Sequence, residues 1–116
     1  MRKNKSRGLF RSPKGMHDIM PQDQAWWEKL RNEVRGIAEA YNFSRIDTTT
    51  LEPSELFEKS LGAASDVVEK QMFAFETKGG DKLVLRPEGT APIARAYVEH
   101  ALSQYGSPTK LYYIGP

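Results

Sequence analysis

The sequence predicts an α+β fold that combines helices with antiparallel strands, and three observations support it. A Gly-Gly pair separates two strand-like runs, residues 72–77 and 82–86, and paired glycines provide the positive φ angles of a two-residue hairpin turn. Apolar residues recur at helical spacing before the hairpin, over residues 26–41, and after it, over residues 91–104. We therefore expect an antiparallel hairpin that is preceded and followed along the chain by an amphipathic helix.

The length and composition of the chain fit one globular domain. Of its 116 residues, 39% are hydrophobic and 28% are charged, and no apolar run approaches the roughly 20 residues that span a bilayer. The chain has no cysteine, which excludes a disulfide scaffold and thiolate metal sites and favours a cytoplasmic location. We expect no membrane partner.

The N-terminus is strongly basic. Residues 1–17 contain six basic residues and no acidic one. This pattern predicts a solvated, disordered leader over residues 1–12, with the ordered domain occupying residues 13–116. The alternative function for the leader is contact with RNA phosphates, because clustered cations displace counterions from a polyanion.

The first half of the chain is expected to contain a loop, a long helix, a strand and a short helix. Residues 13–21 carry prolines at both ends and a glycine, which is typical of a structured loop. Asp23 is the predicted N-cap of the long helix, and Asn42 its C-terminal stop. Residues 43–50 are rich in β-branched side chains and predict a strand.

A short helix is predicted over residues 54–60. Its expected buried face consists of Leu56, Phe57 and Leu61. Gly62 would end it, and the stretch at residues 63–70 is ambiguous, with one helical turn capped by Ser65 as the favoured interpretation.

After the hairpin, residues 87–90 predict a tight loop, with Thr90 as the N-cap of the second long helix and Gly106 as its end. The predicted apolar face of this helix consists of Ile93, Ala94, Tyr97, Val98, Ala101 and Leu102. Residues 110–114 predict a final strand. Its two tyrosines should alternate, with one ring buried and the other facing a cleft or solvent.

Common metal and nucleotide sites are missing from the sequence. His17 and His100 lie far apart, and neither has a second ligand at helical spacing, so no metal site is predicted. There is no Gly-x-x-x-x-Gly-Lys loop and no nucleophile elbow, so no catalytic or cofactor-binding residue is assigned. Trp26 and Trp27 offer stacking surfaces for bases, but Trp26 aligns with Leu30 on the helix, which favours core packing.

The candidate binding residues are Glu88, Gly89 and Thr90, at the junction between a hairpin strand and a helix N-terminus. Glu88 can accept a charge-assisted bond from an ammonium group, and the Thr90 hydroxyl can both donate and accept. Gly89 allows a ligand to approach the backbone closely. A purely structural interpretation explains the same residues as a turn and a helix cap, and the residue types alone leave both interpretations open.

Four segments, at residues 13–21, 66–73, 85–91 and 111–116, match a known family in order and spacing. Together they resemble histidyl-tRNA synthetases. In the family they correspond to the opening loop, the segment before the hairpin, the substrate-side loop and the strand that enters the second class II motif. The agreement of all four is far more specific than any one of them.

The resemblance implies a class II aminoacyl-tRNA synthetase: an antiparallel sheet flanked by helices, assembled as a homodimer. The family is expected to activate histidine with ATP and Mg²⁺ and to transfer it to the histidine tRNA. Its Glu-Gly-Thr loop contacts histidine, which maps onto Glu88, Gly89 and Thr90. ATP with Mg²⁺ is expected as a substrate of the full-length family and is not expected to bind tightly to this chain alone.

Two features depart from the family pattern. Thr49 stands where the first class II motif, which builds the dimer interface, usually has proline. The chain also ends at Pro116, before the arginine of the second motif, so we expect an incomplete fold without histidine-dependent pyrophosphate exchange of its own. An alternative family member is the regulatory subunit of ATP phosphoribosyltransferase, a non-catalytic paralogue, whose members tend to lack the Pro-Glu-Gly-Thr string found at residues 87–90.

Overall fold

The computed structural model describes residues 10–60 and 72–116. Several predictions lie outside the described residues. They concern most of the basic leader, the buried side chain of Leu61, the helix stop at Gly62 and the turn capped by Ser65.

The chain divides into two compact units, Met1–Arg35 and Gly36–Pro116. In the first unit, residues 13–20 form the predicted loop, which contains a turn in which the Met16 N–H donates to the Pro13 carbonyl at 3.0 Å. A 3₁₀ turn at Pro21–Asp23 follows.

The long helix α1 spans Gln24–Ala40. Asp23 is not its N-cap, because Pro21 starts a 3₁₀ turn that runs into the helix and places Asp23 inside that first turn. The predicted stop at Asn42 is confirmed: this residue has φ 59°, its N–H donates to Glu39 at 3.0 Å, and the next N–H donates to Ala38 at 2.8 Å. This is the Schellman arrangement that ends many helices.

The apolar side of α1 is open in this chain, and no residue of the helix is buried. Trp26 is 73% exposed and Leu30 52%, so the prediction that Trp26 packs in a core is wrong here. Amphipathic spacing identifies the apolar face of a helix but not the surface that covers it. The Arg31 guanidinium lies 5.9 Å from the Trp27 ring centroid, within cation–π range.

Two short strands replace the single strand predicted over residues 43–50. Strand β1 is Ser44–Arg45, and β2 is Leu51–Pro53. Between them the threonine hydroxyls bond to side chains: Thr48 accepts from Arg86 at 2.6 Å, and Thr49 donates to Glu52 at 2.6 Å. β-Branched composition indicated extended chain but not this interruption.

The predicted hairpin is confirmed. Strands β3 (Ala74–Glu76) and β4 (Lys82–Leu85) pair antiparallel, and β4 pairs antiparallel with β2 on its other side, which gives the order β2-β4-β3. The prediction of a two-residue turn was wrong. Thr77 pairs with Asp81 through an N–H···O bond of 2.9 Å, which leaves a three-residue loop with Gly80 at φ 90°, a common alternative for hairpins.

The final strand β5 is Leu111–Tyr112, shorter than predicted, and it pairs parallel with β1. Helix α2 spans Ser54–Ser60, as predicted, and α3 spans Thr90–Glu99. The prediction that this last helix continues to residue 104 was wrong, because Ala101 adopts a left-handed conformation, φ 48°, and a separate 3₁₀ turn follows at Leu102–Tyr105.

The core of the second unit lies where α2 and α3 contact each other and α2 contacts β4. Its buried apolar side chains, among the described residues, are Phe57, Val84, Pro92 and Ala96. Phe57 was predicted, whereas Val98, placed on the apolar face of α3 by spacing, is 78% exposed. Within residues 10–60 and 72–116, no helix has the length and apolar character that crossing a membrane requires.

A buried ion pair connects β2 to α3. The Glu52 side chain is 1% exposed, and the Arg95 guanidinium binds both its oxygens, Nε to Oε2 at 2.8 Å and Nη2 to Oε1 at 2.9 Å. Thr49 adds its hydroxyl to Oε1, and Arg95 also bonds Glu99. The hydrogen bond with Glu52 raises the pKa of Arg95 above its ordinary value, despite the opposing effect of partial burial.

We predict that Arg95→Met lowers the free energy of unfolding by about 3 kcal/mol, because it keeps the aliphatic stem but leaves the buried Glu52 carboxylate without its cation. Adding Glu52→Leu should restore part of that loss, since no buried charge then remains. The measurement is urea denaturation followed by circular dichroism.

The matched control is Lys59→Met, which removes the exposed partner of Glu55 on α2 and should change stability by less than about 0.5 kcal/mol. Equal losses for the two single variants would contradict the assigned importance of the buried pair.

Candidate functional site

The candidate loop, residues 86–90, joins β4 to α3. At its start the Arg86 N–H donates to the Thr50 carbonyl at 3.0 Å, so the loop leaves the sheet from a fixed point. Thr90 is the first residue of α3 and Gly89 is its N-cap, without a side-chain cap bond of its own. The prediction that Thr90 caps the helix is therefore wrong.

Glu88 supplies the cap in its place. Its carboxylate accepts the backbone N–H groups of Thr90 and of Ala91, the latter at 3.0 Å. Glycine in the cap position cannot reach these donors, whereas a glutamate one residue earlier has the length to fold back over them.

The electrostatics of this arrangement keep Glu88 ionised. Partial burial raises the pKa of its carboxyl, but the hydrogen bonds from the Ala91 and Thr90 backbones and from the Thr90 hydroxyl outweigh that effect, so the pKa lies below its ordinary value. Both Glu88 and Thr90 are exposed. The site therefore presents a negative charge and a hydroxyl to the surface at the start of a helix.

Gly89 is buried against Tyr113, a contact that sequence reasoning missed. The Gly89 N–H donates to the Tyr113 hydroxyl at 3.2 Å, and a Cβ at position 89 would lie 2.3–2.7 Å from carbons of the tyrosine ring. The group that approaches the Gly89 backbone closely is thus a side chain of this chain. The prediction that one of the two adjacent tyrosines is buried is wrong, because Tyr112 is half-buried and Tyr113 is 39% exposed. Strand alternation also did not indicate the contact with Gly89.

Arg86 is the second residue that sequence reasoning did not assign. Its Nε donates to the Pro116 carbonyl at 3.0 Å, and its Nη1 donates to the Thr48 hydroxyl at 2.6 Å. The side chain therefore connects the candidate loop to the segment before β2 and to the chain after β5. An arginine beside a proline in a loop carries no pattern that would indicate these distant partners.

Two surface cavities in the described part of the chain lie elsewhere. One, of about 590 Å³, lies between the start of α2 and the hairpin turn, and the other, of about 460 Å³, lies beside Pro108 and Lys110. Residues 88–90 line neither of them. Among residues 10–60 and 72–116, no group of three or more His, Asp or Glu side chains is arranged to hold a metal ion.

Comparison with known proteins identifies the family. A family model described as histidyl-tRNA synthetase matches residues 15–116. The chain belongs to the histidyl-tRNA synthetase family. The family predicted from the four segments is confirmed.

The curated relatives of this synthetase family are much longer than the chain. The histidine–tRNA ligase of Dehalococcoides mccartyi (strain 195) is 48% identical over 106 residues, which are 91% of this chain and 25% of the relative. That of Moorella thermoacetica is 45% identical over 108 residues, 93% of this chain and 26% of the relative. The chain spans about a quarter of the length of these relatives.

Solved structures agree with the family. Apo histidyl-tRNA synthetase of S. aureus matches with a TM-score of 0.75 and 33% identity, over 93% of this chain and 29% of that one. A Bacillus halodurans protein described as an ATP phosphoribosyltransferase regulatory subunit/histidyl-tRNA synthetase matches with a TM-score of 0.73 and 30% identity, over 91% and 27%. The predicted class II fold is thereby confirmed for the part that the chain spans.

The depressed pKa of Glu88 has a consequence for stability. A carboxyl whose pKa is lower in the folded state stabilises the fold above its unfolded-state pKa, about 4.3, and this contribution is lost as the pH falls through the lower, folded-state pKa. We predict that the stability difference between the parent chain and Glu88→Gln is constant from pH 7 to about 5.5 and shrinks as the pH falls below about 4.3.

The measurement is the urea midpoint of both chains across this pH range. Glu58→Gln is the control, because it removes a carboxylate from the exposed, C-terminal half of α2, away from the N-terminus of that helix. A Glu88 difference that grows on acidification would contradict the capping role of the ionised carboxylate.

Proposed function

We propose that this chain forms the amino-acid-recognition part of a histidine–tRNA ligase. In this proposal Glu88, Gly89 and Thr90 contact the histidine substrate, and the whole protein activates it with ATP before transfer to the histidine tRNA. The proposal rests on one observation above the others: the family match covers residues 15–116, which include the Glu88-Gly89-Thr90 loop at the start of α3.

The chemistry of the loop suits the α-ammonium group of a free amino acid. A carboxylate offers about four acceptor positions, and the Thr90 and Ala91 N–H groups occupy two of them. The remaining positions can accept a charge-assisted bond from an ammonium donor. The hydrogen bonds that hold the carboxylate also reduce the entropy lost when a ligand binds it.

Selection of histidine over other amino acids requires polar groups that a wrong side chain leaves unpaired, at about 1–3 kcal/mol for each neutral group. The negative charge of Glu88 suits the α-ammonium group of the amino acid. We therefore assign the loop to the ammonium end of the substrate. ATP and Mg²⁺ enter as co-substrates, and no residue of the described chain is assigned to them.

The regulatory subunit of ATP phosphoribosyltransferase is the second candidate, favoured by the double description of the Bacillus halodurans neighbour. The intact Arg86-Pro87-Glu88-Gly89-Thr90 string favours the ligase, as do the curated relatives, which are named histidine–tRNA ligase. The homodimer and the cytoplasmic location expected from the resemblance belong to the same proposal.

The test is a chimaera in which residues 15–116 replace the matching quarter of the Dehalococcoides mccartyi ligase. We predict histidine-dependent exchange of pyrophosphate into ATP. The Glu88→Gln chimaera should show a histidine KM about 10- to 100-fold higher, with the ATP KM within twofold, because a hydrogen bond to a charged group contributes about 1.5–3 kcal/mol.

Glu58→Gln in the same chimaera is the control and should leave both KM values unchanged. A chimaera that keeps the thermal midpoint of the parent ligase but shows no exchange would contradict the ligase function. Histidine binding without exchange would favour the regulatory paralogue. If the chimaera is active and Glu88→Gln leaves its histidine KM unchanged, the assignment of Glu88 to the binding site is wrong.

A further inference from the structure

We propose that Tyr113 is a positioning residue for amino-acid recognition: its ring and hydroxyl hold Gly89, and thereby fix the backbone from which Glu88 and Thr90 reach the substrate. This inference rests on the proposed function insofar as that function assigns Glu88 and Thr90 to histidine. It adds a residue outside the loop, on the segment that follows β5.

The steric part of the argument concerns why position 89 must be glycine. Gly89 has φ −106° and ψ −10°, a conformation open to any residue, so backbone strain does not require glycine there. The Tyr113 ring does, because a Cβ would lie 2.3 Å from Cζ, 2.5 Å from Cε2 and 2.7 Å from Cε1. The ring thus packs directly against the backbone between the two side chains assigned to the ligand.

The polar part concerns the free N–H groups at the start of α3. A helix begins with donors that have no partner within the helix, and here these are the N–H groups of Gly89, Thr90 and Ala91, since Pro92 has none. Glu88 accepts the second and third. The Tyr113 hydroxyl accepts the first, at 3.2 Å, so that donor does not compete for the Glu88 carboxylate.

The tyrosine is itself held in place. It directly follows β5, whose pairing with β1 fixes the backbone up to Tyr112. Beyond it, the Pro116 carbonyl accepts the Arg86 Nε at 3.0 Å, and Arg86 Nη2 lies 3.3 Å from where a Cβ on Gly115 would be. Contacts on both sides of Tyr113 therefore keep its hydroxyl opposite Gly89.

The experiment uses the active chimaera and the variant Tyr113→Phe, which keeps the ring and removes the acceptor. We expect the histidine KM to rise about tenfold while the ATP KM stays within twofold. In the Glu88→Gln background the same change should raise the histidine KM less than threefold, because residues that act through one group are non-additive. Tyr112→Phe, the adjacent tyrosine, is the matched control and should behave like the parent.

A second pair of variants tests the steric contact. Gly89→Ala alone should raise the histidine KM, whereas in the Tyr113→Ala background it should add less than twofold, since the obstructing ring is gone. A merely structural role predicts additive effects that also change the ATP KM or the thermal midpoint.

The two proposals fail in distinguishable ways. If the chimaera is active and Glu88→Gln raises the histidine KM, but Tyr113→Phe matches Tyr112→Phe, the positioning role is wrong and the recognition loop stands. If the folded chimaera shows no histidine-dependent exchange, the proposed function itself fails. Tyr113→Phe effects that fully add to those of Glu88→Gln would also overturn the positioning role.

Discussion

The buried Glu52 carboxylate constrains the position of α3 and of the loop that carries the candidate site. A charge that is 1% exposed must be paired, and its partner Arg95 reaches it from α3 with two parallel hydrogen bonds of 2.8 and 2.9 Å. This bidentate geometry fixes both the distance and the rotation of α3 relative to β2. Since the loop at residues 86–90 joins β4 to the start of α3, the ion pair also determines where the loop lies.

The resemblance led us to expect proline at position 49, and the threonine found there takes part in this same pair. Proline has no side-chain donor, whereas the Thr49 hydroxyl donates to Glu52 Oε1 at 2.6 Å and lies 3.5 Å from Arg95 Nη2. Compared with the expected proline, threonine lacks the conformational rigidity of the ring but adds one hydrogen bond to a buried charge. Threonine at this position is compatible with the fold for a reason that its sequence context does not reveal.

The sequence predicted which helices and strands form better than it predicted where they begin and end, and the reasons are physical. The hairpin and α2 follow from local patterns and were found where expected, but the hairpin turn closes at Thr77 and Asp81, whose side chains bond each other at 3.0 Å and favour a longer loop. The family was predictable because four segments agree in order and spacing. The contacts of Arg86 and Tyr113 were not, because they join residues 24 and more positions apart.

Two interpretations of Glu88 were left open by its residue type, the helix cap and the ligand contact, and the geometry makes them compatible. Capping lowers the pKa of the carboxyl and holds its orientation, so the same hydrogen bonds that stabilise α3 maintain the ionised acceptor that an ammonium group requires. A surface glutamate without such hydrogen bonds would become ordered only when the ligand binds, which costs conformational entropy. A cap residue is already ordered by folding. A carboxylate at a helix start therefore loses less conformational entropy when it binds an amino acid.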